Sequence, residues 1–437
     1  MTQRALAQPT GPLSGLRVID LTINVLGPVA TQILGDMGAD VIKVEPPTGD
    51  QNRQNGPGRN PGMSVFYLIM NRNKRSVVLD LKQAACMEAL LKLVETADVV
   101  VHSMRPSAAK RLGICYEKLS ARNPNIIYAY APGYRSDGPY ANMPAFDDVI
   151  QGESGLAAIN RDSDGRPRYF PTVIVDKFCG YVLASSISMA LLHRERTGQG
   201  QEVRVPMMET MLQFNLFEHL WEGALGKSDG LGYTRMFSAN RRPYATRDGY
   251  ICLLAVNDEQ WRRVLTAIGR PELLEDPRFC RMTERMRHIN ELYSILGDVI
   301  ATQTSAHWEA LFAAADVPHG QVRELRDMMD DEYLKETEFF KKVQHPTEGE
   351  LVMTSIPVEF SASPGNVRYL PPNLGEHSSE ILAELGYSHE QISALCAARA
   401  PAATAATAAT AATAASPPAT SAGAEGMIPE TAAQPRP

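Results

Sequence analysis

The sequence predicts an α/β protein: a parallel sheet with helices on both faces, and a second, smaller domain later in the chain. Two patterns carry this. Through the first third, short β-branched apolar runs alternate with segments of helical spacing. Such alternation builds βαβ units, whose strands are buried on both faces and read as nearly continuous apolar runs. From about residue 226 the pattern changes to one strand followed by several helices.

The elements follow in order. "LRVIDLT" (16–22) is the first strand, and "GPVATQILGDMG" (27–38) is a helix with a Gly stop. "ADVIKVEPP" (39–47) is a strand ended by prolines. "SVVLDL" (76–81), helical "CMEALLKLVETA" (86–97), "DVVVHSM" (98–104) and "NIIYAYAPGY" (125–134) continue the alternation. A long helix over about 176–196 is rich in small residues and carries Arg194 and Arg196 in its last turn, where the helix dipole favours cations. Strand 201–206 and helix 207–225 follow. The smaller domain holds a strand at 250–256 and helices near 257–268, 283–302 and 305–315. A strand at 351–361 and a helix–turn–helix over 375–396 complete the folded part. Beyond residue 397 an Ala-Ala-Thr repeat gives way to Pro and Ser, a composition that buries nothing and predicts a disordered tail over 398–437.

Composition excludes several classes. The chain has 437 residues and a net charge of −7 with both signs interspersed, so it lacks the basic stripe of a nucleic-acid binder. Its six cysteines (Cys86, Cys115, Cys179, Cys252, Cys280 and Cys396) form no CxxC pair, so no metal spacing arises and reduced thiols in a cytoplasmic protein are expected. The opening "MTQRALAQPTGPLSG" lacks a signal peptide's apolar stretch, and no window approaches the ~18 apolar residues of a membrane helix. The turn after the first strand reads "LTINVLGP", which is not a dinucleotide fingerprint.

In "PTVIVDKFCG" (171–180) a lone aspartate, Asp176, stands at the predicted start of the long helix, and no carboxylate or histidine follows it until His193. By local sequence alone it is a helix N-cap, whose oxygens accept unpaired N–H groups.

Five blocks, in order, resemble the class III CoA-transferases: "PLSGLRVIDLTINVLGPVATQILGDMGADVIKVEPPTGD", "NRNKRSVVLDLK", "APGYRSDGPY", "IVDKFCGYVLASSISMALLHRERTGQGQEVRVPMMETML" and "LPPNLGEHSSEILAELGY". The resemblance spans about residues 12–396. It implies a large Rossmann-like domain built from residues 12–225 and 331–397, with a smaller α+β domain, 226–330, inserted between them. It also implies an interlocked homodimer, with acyl-CoA and a carboxylic acid as substrates and no cofactor or metal. The donor it suggests is succinyl-CoA.

By the same resemblance Asp176 is the nucleophile. A carboxylate that attacks a thioester gives an acyl anhydride and free CoA thiolate, so energy-rich groups are exchanged without ATP. Its partners would be the thiolate and the substrate carboxylate, with no second titrating side chain required. Matched by motif, the CoA contacts are Val25 and Leu26 in the first turn, and Leu79, Asp80, Leu81 and Lys82 in "LDLK". Ser103, Met104 and Arg105 in "SMR", Arg111 and Leu112 in "KRLG", and Gly133 and Tyr134 in "PGY" complete the set. They fall at or beyond the carboxyl ends of the expected strands, where open α/β sheets bind ligands. Lys82 reads equally as a solvated lysine and Tyr134 as a core tyrosine. Arg111 suits a phosphate or ribose through its forked donors.

The departures from the family narrow the reading. Formyl-CoA transferase has glutamine, arginine and glutamate where this chain has Val25, Pro46 and Arg135, and it carries a glycine run absent from residues 232–249 here. An oxalate-specific formyl-CoA transferase is therefore not expected. Arg241 and Arg242 are candidates to meet an acceptor carboxylate or to cap the domain surface. The α-methylacyl-CoA racemase branch carries an acid/base histidine where "PAFDD" has Phe146, and phenylalanine holds no proton. Transfer is thus favoured over racemisation; a CoA-binding protein without turnover is the third alternative.

Overall fold

The computed structural model describes residues 7–397, so the predicted tail lies outside the described residues. Six parallel strands form the main sheet: β1 (Arg17–Leu21), β2 (Asp40–Glu45), β3 (Lys74–Val78), β4 (Val99–His102), β5 (Ile127–Tyr130) and β6 (Gln201–Arg204). Their spatial order is β3-β2-β1-β4-β5-β6, so the chain reverses direction across the sheet between β1 and β4. That reversal opens a crevice at the carboxyl ends of the strands.

Alternate residues of each strand serve opposite cores. Val18, Val41, Val99 and Val101 face helices Leu26–Asp36 and Ile174–Thr197, with Leu34, Val175, Leu183 and Ile187 packed against them. Ile19, Ile42, Val77 and Val100 face the other way, onto Leu90 and Leu93 of helix Ala84–Glu95 and onto Ile381 and Leu382 of helix Ser378–Glu384. Both faces are buried, which is why the central strands are largely apolar.

Helix Ile174–Thr197 meets the length and composition of a membrane span, contrary to the sequence expectation. Its hydropathy comes from Ile, Val, Leu, Phe, Met and Cys side chains interspersed with Ala, Ser and Gly rather than gathered in one unbroken run. It packs against the sheet and along helix Leu26–Asp36. A Cβ on Gly180 would lie 2.8 Å from the Leu26 carbonyl oxygen, so only glycine permits this approach.

Residues 244–321 have their own core. The short antiparallel strands β7 (Tyr244–Ala245), β8 (Tyr250–Leu253) and β9 (His319–Gln321) back helices Asp258–Ala267, Ile289–Ile300 and Ser305–Ala314 around Trp261, Leu292, Trp308 and Phe312. Asn257 and Gln260 form a capping box at the start of the first of these helices. The helix expected over 283–302 is divided at His288 into Met282–Arg287 and Ile289–Ile300. The strand expected over 351–361 is instead the second arm of a hairpin, β10 (Phe340–His345) with β11 (Gly349–Thr354). The chain then returns to the edge of the main sheet: Asn73 N–H donates to the Tyr369 carbonyl, and His377 N–H to that of Ser76.

A network of buried charges runs beneath the carboxyl ends of β1–β3. Asp20 accepts from Thr22, from Thr31 (2.7 Å) and from the Lys74 ammonium (3.1 Å). Lys43 pairs with Asp50 at 2.9 Å and donates to the Thr22 carbonyl. Glu45 holds Arg53 through two bonds, of 2.7 and 2.8 Å, and accepts from Ser76 Oγ. The two ammonium groups keep Asp20 ionised although it is fully buried, whereas burial draws Lys74 down to about 8 against the attraction of Asp20, with Lys43 repelling it too. Removing one member strands the others, so Asp20→Ala is expected to lose about 3–5 kcal/mol of stability in urea unfolding. Arg135→Ala, which breaks the exposed Arg135–Asp137 pair, is expected to leave the transition where it is.

Candidate active site

A cavity of about 630 Å³ opens at the crevice that the strand order creates. Its walls come from the segments that follow five consecutive strands of the sheet: Ile23 and Asn24 after β1, Pro46 after β2, Leu79 to Lys82 after β3, Ser103 to Arg105 after β4, and Ala131 to Gly133 after β5. Asp176 and the segment Met143–Phe146 complete the wall.

Most residues singled out from the sequence meet here. Asp176, Leu26, Leu79, Asp80, Leu81, Lys82, Ser103, Met104, Arg105, Leu112 and Gly133 all line the cavity. Val25, Arg111 and Tyr134 do not. Val25 is the buried residue preceding helix Leu26–Asp36 and turns into the core. Tyr134 is a core tyrosine, one of the two readings left open, and its hydroxyl donates to Glu153 at 2.8 Å. Arg111 is exposed on helix Pro106–Leu112, which presents its neighbour Leu112 to the cavity instead. Arg241 and Arg242 are exposed and lie off the cavity wall.

Asp176 is not the N-cap. Val173 holds that position without a side-chain bond, and Asp176 sits within the first turn of helix Ile174–Thr197. Nor does it stand alone. Its backbone N–H donates to Asp147 Oδ2 at 3.0 Å. Asp147 is 6% exposed and opens helix Asp147–Glu153, where its other oxygen accepts from Gln151 at 2.5 Å. Gln151 in turn accepts from the Phe170 N–H, tying down the segment that leads to helix Ile174–Thr197. Burial, and then the like charge of Asp147, push the Asp176 carboxyl up to about 7. The dipole of the helix start opposes this shift, but desolvation outweighs it.

The sequence reading missed Asp147 because it stands 29 residues before Asp176. The signal available was the acidic pair in "PAFDD", which marks a helix start. Phe146 from the same motif lines the cavity and is 66% exposed. The cavity lining holds two cationic side chains, Lys82 and Arg105, both on the loops expected to meet CoA. Arg105 also donates to the Asn142 carbonyl at 3.1 Å, and the Ser107 N–H to Asn142 Oδ1, so the loop before Met143 is fastened to helix Pro106–Leu112. Gly133 fits beneath this loop because it lacks a Cβ, which would lie 2.4 Å from that of Ala145. Among the described residues no group of three or more His, Cys, Asp or Glu side chains could hold a metal ion.

His102, at the end of β4, fixes the cavity loop from below. Its Nδ1 accepts the Met104 N–H at 3.1 Å, so Nε2 carries the proton and donates to the Tyr128 hydroxyl at 2.6 Å. Burial holds this imidazole down to about 3, so it stays neutral.

Comparison with known proteins agrees with this architecture. The family model described as CoA-transferase family III matches residues 13–378. The "Probable fatty acyl-CoA transferase Rv3272" of Mycobacterium tuberculosis is 34% identical over 394 residues, covering 86% of this chain and 99% of that protein. The "Succinate--glutarate CoA-transferase" of Agrobacterium fabrum is 33% identical over 395 residues, covering 86% of this chain and 96% of that one. A crystal structure of Rv3272, in an orthorhombic form, superposes with a TM-score of 0.74 at 32% identity, over 85% of this chain and 99% of that one. With matching blocks across nearly the whole described fold, the chain belongs to CoA-transferase family III.

Proposed function

We propose that the protein moves CoA from an acyl-CoA donor to a free carboxylic acid through covalent intermediates on Asp176. The observation that carries this is the position of Asp176: a half-buried carboxylate in the wall of a cavity at the carboxyl ends of a parallel sheet. An Asp176 oxygen attacks the thioester carbonyl, the C–S bond breaks, and an aspartyl acyl anhydride and CoA thiolate form. The thiolate then attacks the aspartyl carbonyl, releases the donor's carboxylate and leaves CoA as an aspartyl thioester. The acceptor carboxylate repeats the exchange in reverse order and departs as its CoA ester. Each step swaps one leaving group for another, so no external energy source enters.

In this reading Lys82 and Arg105 meet the anionic and polar parts of CoA, and the Ser103 side chain, which lines the cavity beside them, supplies a further donor. Succinyl-CoA, the donor implied by the resemblance, is the first to be tried. The working unit is a homodimer. Large exposed side chains such as Phe217 and Leu225, 78% and 80% exposed, support an apolar face that a second copy covers. Phe146 at the position of the racemase histidine argues for transfer rather than α-proton exchange.

Incubation with acyl-CoA is expected to leave CoA on the peptide that contains Asp176, read by mass spectrometry. Asp176→Ala is expected to lose both this adduct and at least about 10⁴-fold of the transfer rate. Transfer that survives the substitution overturns the assignment of the nucleophile.

The raised carboxyl also sets a pH dependence. Only ionised Asp176 attacks, so kcat/KM is expected to fall as pH drops through about 7, rather than near the ordinary aspartate value. Asp147→Asn keeps an oxygen to accept the Asp176 N–H but removes the like charge. Its acidic limb is expected to move to lower pH, and an unshifted limb would show that burial alone sets it.

A further inference from the structure

We propose that the acyl subsite beside Asp176 is built for acids with one carboxylate and an apolar chain, and that Phe146 is its specificity-determining side chain; this rests on the transferase reading. The geometry near the nucleophile is apolar on several sides. Phe146 directly precedes Asp147, whose carboxylate holds the Asp176 N–H. The Leu26 carbonyl lies against Gly180, one turn along the helix from Asp176. The Met207 carbonyl lies near Cys179, on the same helix. Leu26, Phe146 and Met207 therefore lie within about one turn of the nucleophile along its helix, and all three line the cavity. Ile23 and Met143 extend the same wall, and they are 36% and 44% exposed to the cavity and solvent.

Charge is unevenly spread over the cavity wall. Its cations stand after β3 and β4, at Lys82 and Arg105, and the Arg105 guanidinium is bonded to the Asn142 carbonyl. Lys177, next to Asp176, is exposed, donates to Thr172 Oγ1 and lies off the cavity wall, so near the nucleophile the wall itself carries no cation. Asp147 adds negative charge there, buried and already bonded. A second carboxylate on the transferred acyl group would face Asp147 and an apolar wall, losing hydration without gaining a partner. An alkyl or aryl chain would cover Phe146, Met143 and Ile23, which are otherwise wet. A short dicarboxylyl donor is accommodated only with its far carboxylate turned to the cavity mouth and water.

The test is an acceptor series against one fixed acyl-CoA donor, with the product CoA ester followed by chromatography. The series compares propanoate, hexanoate and decanoate with succinate, glutarate and oxalate. For wild type, kcat/KM is expected to rise by about fourfold per methylene until the wall is covered, and the dicarboxylates to trail hexanoate. Phe146→Ala is expected to flatten the rise with chain length, and Phe146→Arg to move preference towards succinate and glutarate. The exposure of Phe146 leaves both variants free to fold, which circular dichroism checks. Dicarboxylates as the best wild-type acceptors, with CoA still appearing on Asp176, overturn this inference while leaving transfer intact. An unchanged chain-length profile in Phe146→Ala overturns the role of Phe146. Transfer to no acid of either class overturns the transferase reading and this inference with it.

Discussion

The buried charge network beneath β1–β3 is the constraint on which the site depends. Six ionised side chains share the interior: Asp20, Lys43, Glu45, Asp50, Arg53 and Lys74. Burying charges is costly, and mutual attraction offsets that cost only when geometry and extra hydrogen bonds are complete. Here the bonds do more than neutralise. Asp50 accepts the Asn24 N–H, and Asn52 donates to the Asn24 carbonyl, at a residue held at φ 66°. The left-handed backbone at Asn24 is thus fastened on both sides. Arg53 reaches the Pro372 carbonyl, so the C-terminal segment is tied to the same network. The loops that frame the cavity are fixed from below, before any ligand arrives.

From this rigid base Asp176, the proposed nucleophile, is placed by close packing. Glycine at position 180 lets helix Ile174–Thr197 approach the Leu26 backbone, and Gly133 lets the loop carrying Ala145 and Phe146 fold over β5. Asp147 then joins two helix starts by accepting one N–H. The arrangement places a carboxylate where water is partly excluded, and the raised proton affinity follows from that placement rather than from a proton-relay partner.

The sheet was legible because both its faces are buried, so most of its strands show an apolar run between helical segments. The position of the cavity followed from that topology, and most of the loops that line it from motif order. What stayed hidden is long-range or conformational. Lys43 and Lys74 look like ordinary strand-edge lysines in sequence; only pairing across β1, β2 and β3 shows them to be interior. Asp147 meets Asp176 through tertiary packing, and no local spacing predicts that. Asp176 itself was read as a cap because it precedes an apolar helical stretch, whereas the helix begins two residues earlier at Ile174. Val25 and Tyr134 match family positions by motif, but their side chains turn into the core. Short strands such as Tyr244–Ala245 carry too little pattern to be seen.

The raised carboxyl has a consequence for the order of bond breaking in the proposed reaction. In a mixed anhydride two carbonyls compete for the returning thiolate. Attack at the aspartyl carbonyl expels the substrate carboxylate, and attack at the substrate carbonyl expels Asp176. The weaker base leaves more readily. Ordinary carboxylic acids ionise near 4–5, well below the value of about 7 set for Asp176 by burial and Asp147. The substrate carboxylate is therefore the better leaving group, and the anhydride partitions towards the aspartyl thioester instead of collapsing back. The same inequality makes Asp176 a stronger nucleophile than a free acid once it is ionised. Its burial and the neighbouring charge thus favour attack and passage to the aspartyl thioester in the first half of the exchange, and resist the last step, in which Asp176 must leave, at the expense of activity in acid. A carboxylate bathed in water, with ordinary basicity, would carry no such bias between the two carbonyls.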